Sequence, residues 1–519
     1  MGIIDRLFLL HTREEELQVK VENDLLYLKK SREAVAIFLF EGKLPGEGMV
    51  PAIDKAAGGL IRQIWKEKDF EGKLHQTAVL YPRGAAGIRR VILIGLGKRP
   101  DFSADKMRSA SAKAGQTARS LKVKSLAVAL DAGELGLSWE IATEANVEGT
   151  ILGLYQFTDF KTLERETISE VDLLCILIHD NKIIPLVKKA AEKAEKICRA
   201  VYLTRNMVSA PANEMTPTIL AREALNIAKD HKKIKATILD AADMKRLGMN
   251  ALLGVARGSE EPPKFIIIEY RGAGKEQPPV VLVGKALTFD SGGISLKPAE
   301  KMDEMKTDMA GGAAVIGAVS AAADLQLPVN IVGLIPATEN LPGGRALKPG
   351  DILKSMSGKT IEVINTDAEG RLILADALAY AGLFKPAAII DIATLTGACI
   401  VALGDHVMGM LGTDENLKTK IKKASEQTGE LLWELPLWEN YQDLVKSDIA
   451  DYKNSTGRPG GAITAAAFLS KFVGPYPWVH LDIAGPAWLT KDQAYNPKGA
   501  SGAGVRLFVK LLTNWSDVD

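Results

Sequence analysis

The stretch Val280-Val281-Leu282-Val283-Gly284-Lys285-Ala286-Leu287-Thr288-Phe289-Asp290-Ser291-Gly292-Gly293 reads as a buried strand running into a glycine-bearing loop that holds a lysine and an aspartate. Its first four residues are apolar without alternation, as expected of a parallel strand covered by helices on both faces. Similar runs follow on both sides, at 265–269, 329–335, 361–364, 387–392 and 478–483. Earlier in the chain, 36–40, 91–94, 125–130 and 171–178 read as strands and 104–121 as a helix. Strands alternating with helical patterns predict α/β architecture. In open sheets of that kind, ligands bind at the carboxyl ends of the strands, so the loops after these runs are where chemistry is expected.

A long helix at 184–205, with Lys188, Lys189, Glu192, Lys193, Glu195 and Lys196 on its exposed face, separates the two patterns. The expected organisation is a smaller N-terminal α/β domain over 1–183, a connecting helix and linker over 184–212, and a larger α/β domain over 213–519 with a mixed sheet flanked by helices. Length agrees, since 519 residues exceed one ordinary domain of about 150. There is no internal repeat and no low-complexity segment.

Composition excludes several classes. Hydrophobic residues make up 47% and charged residues 25%, the balance of a folded globule. Lys+Arg 65 against Asp+Glu 64 gives a net charge of +1, which argues against a protein devoted to a polyanion. Cys175, Cys198 and Cys399 are far apart with no CxxC, so neither a disulfide framework nor a cysteine zinc cluster is expected. The apolar run Leu7-Phe8-Leu9-Leu10 is too short for a signal peptide, and no stretch reaches the roughly 18 apolar residues of a membrane helix. A cytoplasmic location is expected. The six histidines include no HExxH, so a metal site here would draw mainly on other ligands.

Three segments carry the chemistry. The first is the opening stretch with Lys297 beyond it. The second is Met302-Asp303-Glu304-Met305-Lys306-Thr307-Asp308, ahead of a small-residue helix. The third is Asn365-Thr366-Asp367-Ala368-Glu369-Gly370-Arg371, ahead of another helix. Taken singly, each has a plainer reading. Asp367 and Glu369 suit helix starts, Lys285 a solvated charge, and the glycine pairs 292–293 and 311–312 turns or close packing. Together, Asp290, Asp308, Asp367 and Glu369 would converge on one sheet edge, where bound cations are the usual compensation for like charge. Four carboxylates suit two hard divalent ions, zinc, manganese, magnesium or cobalt, about 3.5–4 Å apart. A nearby lysine could remain charged and stabilise an oxyanion, or lose its proton to the metals and ligate through nitrogen. This spacing supports a dinuclear carboxylate site and no particular substrate.

The run Asn365-Thr366-Asp367-Ala368-Glu369-Gly370-Arg371-Leu372 resembles the signature of the leucyl (cytosol) aminopeptidases, dinuclear metallo-exopeptidases that include aminopeptidase A. The resemblance extends through Gly254-Val255-Ala256-Arg257-Gly258-Ser259, Val283-Gly284-Lys285, Thr288-Phe289-Asp290 and Arg345 with Pro349-Gly350-Asp351. It continues through Ala393-Thr394-Leu395-Thr396-Gly397-Ala398, Gly461-Ala462-Ile463-Thr464-Ala465-Ala466 and His480-Leu481-Asp482-Ile483-Ala484-Gly485. It covers 206–510; the N-terminal part is similar only loosely. Ala286 replaces a common glycine, and Gly343-Gly344 and Arg458-Pro459-Gly460-Gly461 vary usual patterns, but no ligand position is lost.

The resemblance implies that Lys285 is an amine ligand of the tighter metal, with Asp290, Asp308 and Glu369. Asp290 and Glu369 would bridge to the looser metal, where Asp367 adds its carboxylate and carbonyl. It implies that Lys297 is the catalytic lysine that stabilises the gem-diolate, and that Arg371 holds a bicarbonate acting as general base. The substrate's free α-amine would bind one metal. Met305, Thr394 and Gly397 would line the first side-chain pocket. The implied enzyme removes Leu and other apolar residues from the N-termini of short peptides, in peptide catabolism. It would use manganese or zinc, with magnesium or cobalt as alternatives, and assemble as a homohexamer with no membrane partner.

Two other functions fit parts of the sequence. A DNA-binding or regulatory role, as in some members of the family, would use Lys188 to Lys196, Arg89-Arg90 and Lys98-Arg99, but the balanced total charge favours solvated faces and ion pairs. A phosphate-handling dinuclear enzyme suits the carboxylates alone, yet there is no GxxxxGK[ST], and Gly95-Leu96-Gly97-Lys98-Arg99 lacks the spacing.

Overall fold

The computed structural model describes residues 17–23, 33–82 and 87–515, and divides into two compact units, one of 1–199 with 491–498 and one of 200–490 with 499–519. The run at Leu7–Leu10 lies outside the described residues.

In the first unit, β1 (Gln18–Asn23), β2 (Ala34–Phe40), β3 (Thr77–Leu80), β4 (Val91–Gly97), β5 (Ser125–Ala129) and β6 (Leu173–Ile178) form a sheet in the order β1-β6-β5-β2-β4-β3. All pairings are parallel except β3 with β4. Strand β2 shows why the sheet is covered twice. Val35, Ile37 and Leu39 pack with Ile53 and Ile61 of two helices on one face. Ala34 and Ala36 pack with Met107, Ala110 and Ala114 of the helix Ala104–Ser120 on the other. The expected charged helix runs Ile184–Ser209, across the division at Arg199.

The second unit is built on β7 (Ile234–Leu239), β8 (Lys264–Arg271), β9 (Val280–Gly284), β10 (Ala286–Asp290), β11 (Asn330–Asn340), β14 (Ala388–Ala393), β15 (Met408–Gly412), β16 (Leu432–Glu434) and β18 (Trp478–Asp482). The order is β16-β15-β18-β14-β9-β11-β8-β7, with β10 paired to β11. The sheet is mixed. Strands β14, β9 and β11 run parallel, whereas β8 is antiparallel to both β11 and β7. The run at 265–269 is therefore an antiparallel strand, with Phe265, Ile266, Ile267 and Ile268 buried across both faces.

Two segments depart from the pattern expected of the sequence. Residues 286–290, read as loop, form β10. Strand β11 is long enough to pair with β9 through Ile331–Leu334 and with β10 through Ala337–Asn340, so β9 and β10 lie end to end with Lys285 at the break. The run at 361–364 is not in this sheet. It supplies β13 (Thr360–Glu362), between β12 (Ile352–Lys354) and β17 (Tyr452–Lys453) in a separate small sheet.

Helices cover both faces. Ala310–Asp324 is alanine- and glycine-rich, and a Cβ at its Gly311 would overlap the Ile392 carbonyl, so only glycine lets the helix start this close to β14. On the opposite face, Leu372, Leu374 and Leu378 of Gly370–Ala381 and Phe468 of Gly461–Leu469 join Val281, Val283 and Ile389 in one core. This packing seats the start of Gly370–Ala381 over the carboxyl end of β9. Among the described residues, no helix is long and apolar enough to cross a membrane.

Candidate metal centre

Lys285 sits at the β9–β10 break and is 3% exposed, which removes the solvated-charge reading. Its Nζ lies 2.9 Å from Asp308 Oδ1, 2.8 Å from Asp308 Oδ2 and 3.1 Å from Glu369 Oε1, and donates to the Thr394 carbonyl at 3.0 Å. Asp290 ends β10. Its Oδ2 is 2.8 Å from Lys297 Nζ, which also contacts Asp367 Oδ1. One carboxylate oxygen from each of Asp290, Asp367 and Glu369 lies within 4.8 Å of the others. Four carboxylates brought from three segments thus surround two lysines.

Glu369 immediately precedes the helix Gly370–Ala381, yet its side chain makes no capping hydrogen bond. It turns instead to Lys285, so the plain helix-start reading fails for it. Local backbone chemistry permits the approach. Gly292, at φ +88, turns the chain after β10 so that its N–H reaches Asp290 Oδ1 at 2.9 Å. A Cβ on Gly370 would overlap Lys285 Cε and lie 2.7 Å from its Nζ.

Electrostatics show that the cluster holds more negative charge than its lysines balance. Burial, then the charge of Glu369, lifts Asp290 to about 6 against the pull of Lys297 and Lys285. Burial and the neighbouring carboxylates lift Asp308 to about 7 despite Lys285. Asp367 is also raised by burial. Glu369 is buried too, but Lys285 and Lys297 together hold it below its ordinary value. Burial opposes the charge on both lysines, and the surrounding carboxylates outweigh it and raise them. An oxygen-rich, buried, net-negative donor set is the chemistry that fits divalent cations.

Arg371 is nearly buried and donates from Nη1 to the Asn454 carbonyl at 2.7 Å. Its Nε is buried with no hydrogen-bond partner among the described residues, which fits a small anion. Burial lowers its pKa to about 10, against the pull of Glu369 and Asp482. The Thr394 hydroxyl donates to Asp308 at 2.7 Å. Met305 is half-buried on the turn Met302–Thr307, and its carbonyl accepts from the Asp308 N–H at 3.4 Å. Gly397 is exposed, with open space where a Cβ would be.

Two residues outside the sequence reading organise the cluster. Asn340, in register with Asp290 at the end of β11, donates from Nδ2 to Asp290 Oδ1 at 2.8 Å and to the Thr366 carbonyl at 3.0 Å, and approaches Glu369 Oε2 at 3.4 Å. Asn454 accepts from Ile364 N at 2.8 Å and donates to the carbonyls of Asn365 at 2.7 Å and Ala368 at 3.1 Å, clamping the loop that carries Asp367 and Glu369. The only sequence signal for Asn340 is a polar side chain closing an apolar strand.

Fold and site together define a metal-dependent hydrolase. The chain belongs to the cytosol aminopeptidase family: the model of that family's catalytic domain matches residues 202–509, and that of its N-terminal domain residues 36–164. A probable cytosol aminopeptidase of Geobacter sp. (strain M21) is 48% identical over 459 residues, 88% of this chain and 92% of that protein. One from Roseiflexus castenholzii is 49% identical over 472 residues, 88% and 96% of the two chains. Among solved structures, a tomato leucine aminopeptidase mutant superposes with a TM-score of 0.86 at 35% identity, covering 97% of this chain and 98% of that one. The bottromycin maturation enzyme BotP, in complex with Mn, gives 0.82 at 30% identity, covering 94% and 100%. The protein is accordingly a metal-dependent aminopeptidase acting on peptides.

Proposed function

We propose that the enzyme removes Leu and other apolar residues from the N-termini of short peptides, using two divalent ions, manganese or zinc, and a bicarbonate. The observation that carries this reading is the buried cluster in which Asp290, Asp308, Asp367 and Glu369 outnumber Lys285 and Lys297. Asp290, Asp308, Glu369 and Lys285 would hold one ion, and Asp290, Asp367 and Glu369 the other. When bound, the ions supply Lewis acidity that makes a water nucleophilic near neutral pH.

The chain's own residues do the rest. Lys297, aimed by Asp290 and Asp367, keeps its proton and donates to the scissile carbonyl oxygen as negative charge develops there. Arg371, with its buried Nε free of protein partners among the described residues, would hold the bicarbonate, which when bound would supply a general base. Thr394, Gly397 and Met305 flank the place for the first side chain, and the open space at Gly397 suits an apolar group.

A homohexamer working in the cytoplasm, with residues 184–212 connecting its two domains, completes the proposal. Of the basic residues that the DNA-binding alternative would use, two already have acidic partners: Lys193 pairs with Glu144 at 2.8 Å and Arg99 with Glu134 at 3.1 Å. A panel of aminoacyl amides assayed with Mn, Zn, Co and Mg tests the proposal. Fastest turnover of the leucyl amide supports it, and faster turnover of charged or glycyl amides removes the apolar preference.

A further inference from the structure

Strand β18 ends in Asp482, a fully buried carboxylate outside the cluster described above. Both its oxygens are used. Oδ1 accepts from Leu395 N at 3.2 Å and Ala484 N at 3.1 Å, and Oδ2 accepts from the Thr396 hydroxyl at 2.7 Å. The Thr396 oxygen in turn accepts from Cys399 N at 3.0 Å, capping the helix Gly397–Leu403. One side chain on β18 therefore ties down the turn that leaves β14, and its strand partner is Ala393, the residue just before that turn. Immediately ahead of the tethered Leu395, Thr394 offers its carbonyl to Lys285 at 3.0 Å and its hydroxyl to Asp308 at 2.7 Å. Immediately after Thr396 comes Gly397.

We infer that Asp482 is a positioning residue for side-chain selection. By fixing Leu395 and Thr396 it sets the turn Thr394–Gly397, so that Thr394 meets the cluster while Gly397 faces the space for the substrate's first side chain. The inference rests on the proposed pocket at Thr394 and Gly397. A carboxylate is suited to this, because a single side chain accepts from two backbone N–H groups and a hydroxyl at once. Displacement of such a turn by about 1 Å is enough to cost on the order of 10²-fold in rate.

The test compares full-length wild type with Asp482→Ala, Asp482→Asn and Thr396→Val, each loaded with Mn(II). Metal content, thermal melting and kcat/KM for leucyl and glycyl amides are measured for each. Asp482→Asn keeps an acceptor for the backbone N–H groups and should retain most of the leucyl-over-glycyl ratio. Asp482→Ala and Thr396→Val should lose roughly tenfold or more of it at unchanged metal content. If Asp482→Ala does not fold, Thr396→Val decides the matter, since it removes one hydroxyl and leaves the carboxylate in place. Folded variants that keep the wild-type ratio overturn the role of Asp482 while leaving the pocket intact. A wild type with no leucyl preference overturns the pocket reading and, with it, this inference.

Discussion

Lys285 Nζ and Asp308 Oδ1 lie 2.9 Å apart although neither side chain has appreciable access to solvent. This pair joins the β9–β10 break to the turn before the helix Ala310–Asp324. It forms one side of a cluster in which Asp290, Asp308, Asp367 and Glu369 outnumber Lys285 and Lys297.

Lys297 is held by Asp290 and Asp367 and remains protonated, since its pKa is raised by the carboxylates around it. Replacing it with Met keeps most of the volume and removes the donor. The expected loss is on the order of 10²–10³-fold in kcat, with KM for a leucyl amide little changed. Steady-state kinetics at saturating Mn(II) read this directly, and a variant altered in KM alone would make Lys297 a binding group.

Asn340 orients Asp290 and Glu369 without carrying charge. Asn340→Ala should weaken divalent-ion affinity by about 10–100-fold, the usual effect of removing a group that orients ligands. Metal titration monitored by activity should show the shift. Recovery of full turnover at high metal would mark Asn340 as a support and not a reacting group.

Gly370 has no room for a methyl group, because a Cβ there would overlap Lys285 Cε. Gly370→Ala should displace Lys285 and lower metal content in the purified protein, while the overall secondary structure is retained. Metal analysis alongside circular dichroism checks both halves of the statement.

His480 on β18 is fully buried, with Nδ1 2.6 Å from Asp391 Oδ1, and Asp391 Oδ2 accepts from Trp478 Nε1 at 2.7 Å. Burial opposes the imidazolium, but Asp391 outweighs it and raises the pKa above 6.5. A group with a raised folded pKa binds protons more tightly in the native state. Its stabilisation is therefore complete below pH 6.5 and is lost as pH rises through the folded value. Melting temperature should fall across that range in the wild type and less steeply in His480→Asn. Parallel curves for the two proteins would contradict the assignment.

Much of this architecture could be read from the sequence where pattern and packing agree. The apolar run at 280–283 becomes β9, and the long charged helix begins at Ile184 as expected. Strand β10 is hidden in the sequence because Thr288 and Asp290 interrupt its apolar pattern, and the length of β11 gives it a partner. The sheet that 361–364 joins is not legible in the sequence, because a short apolar run carries no signal for its strand partners. The carboxylates and lysines stood out through their motifs, and the structure brings all six together. Asn340 and Asn454 do not stand out, and Asp482 stands in a family-like run without an implied role, because an Asn or Asp near a strand end gives no local sign of partners tens of residues away.

The most direct test strips the purified enzyme of metal by chelation, then follows leucyl-amide hydrolysis while Mn(II) or Zn(II) is titrated back. No turnover without metal, full turnover at two ions per chain, and none from Glu369→Ala or Asp290→Ala at any metal concentration is the predicted result. Undiminished hydrolysis by the chelated protein, or by either variant, would contradict the claim that this carboxylate–lysine cluster is the metal centre of the aminopeptidase.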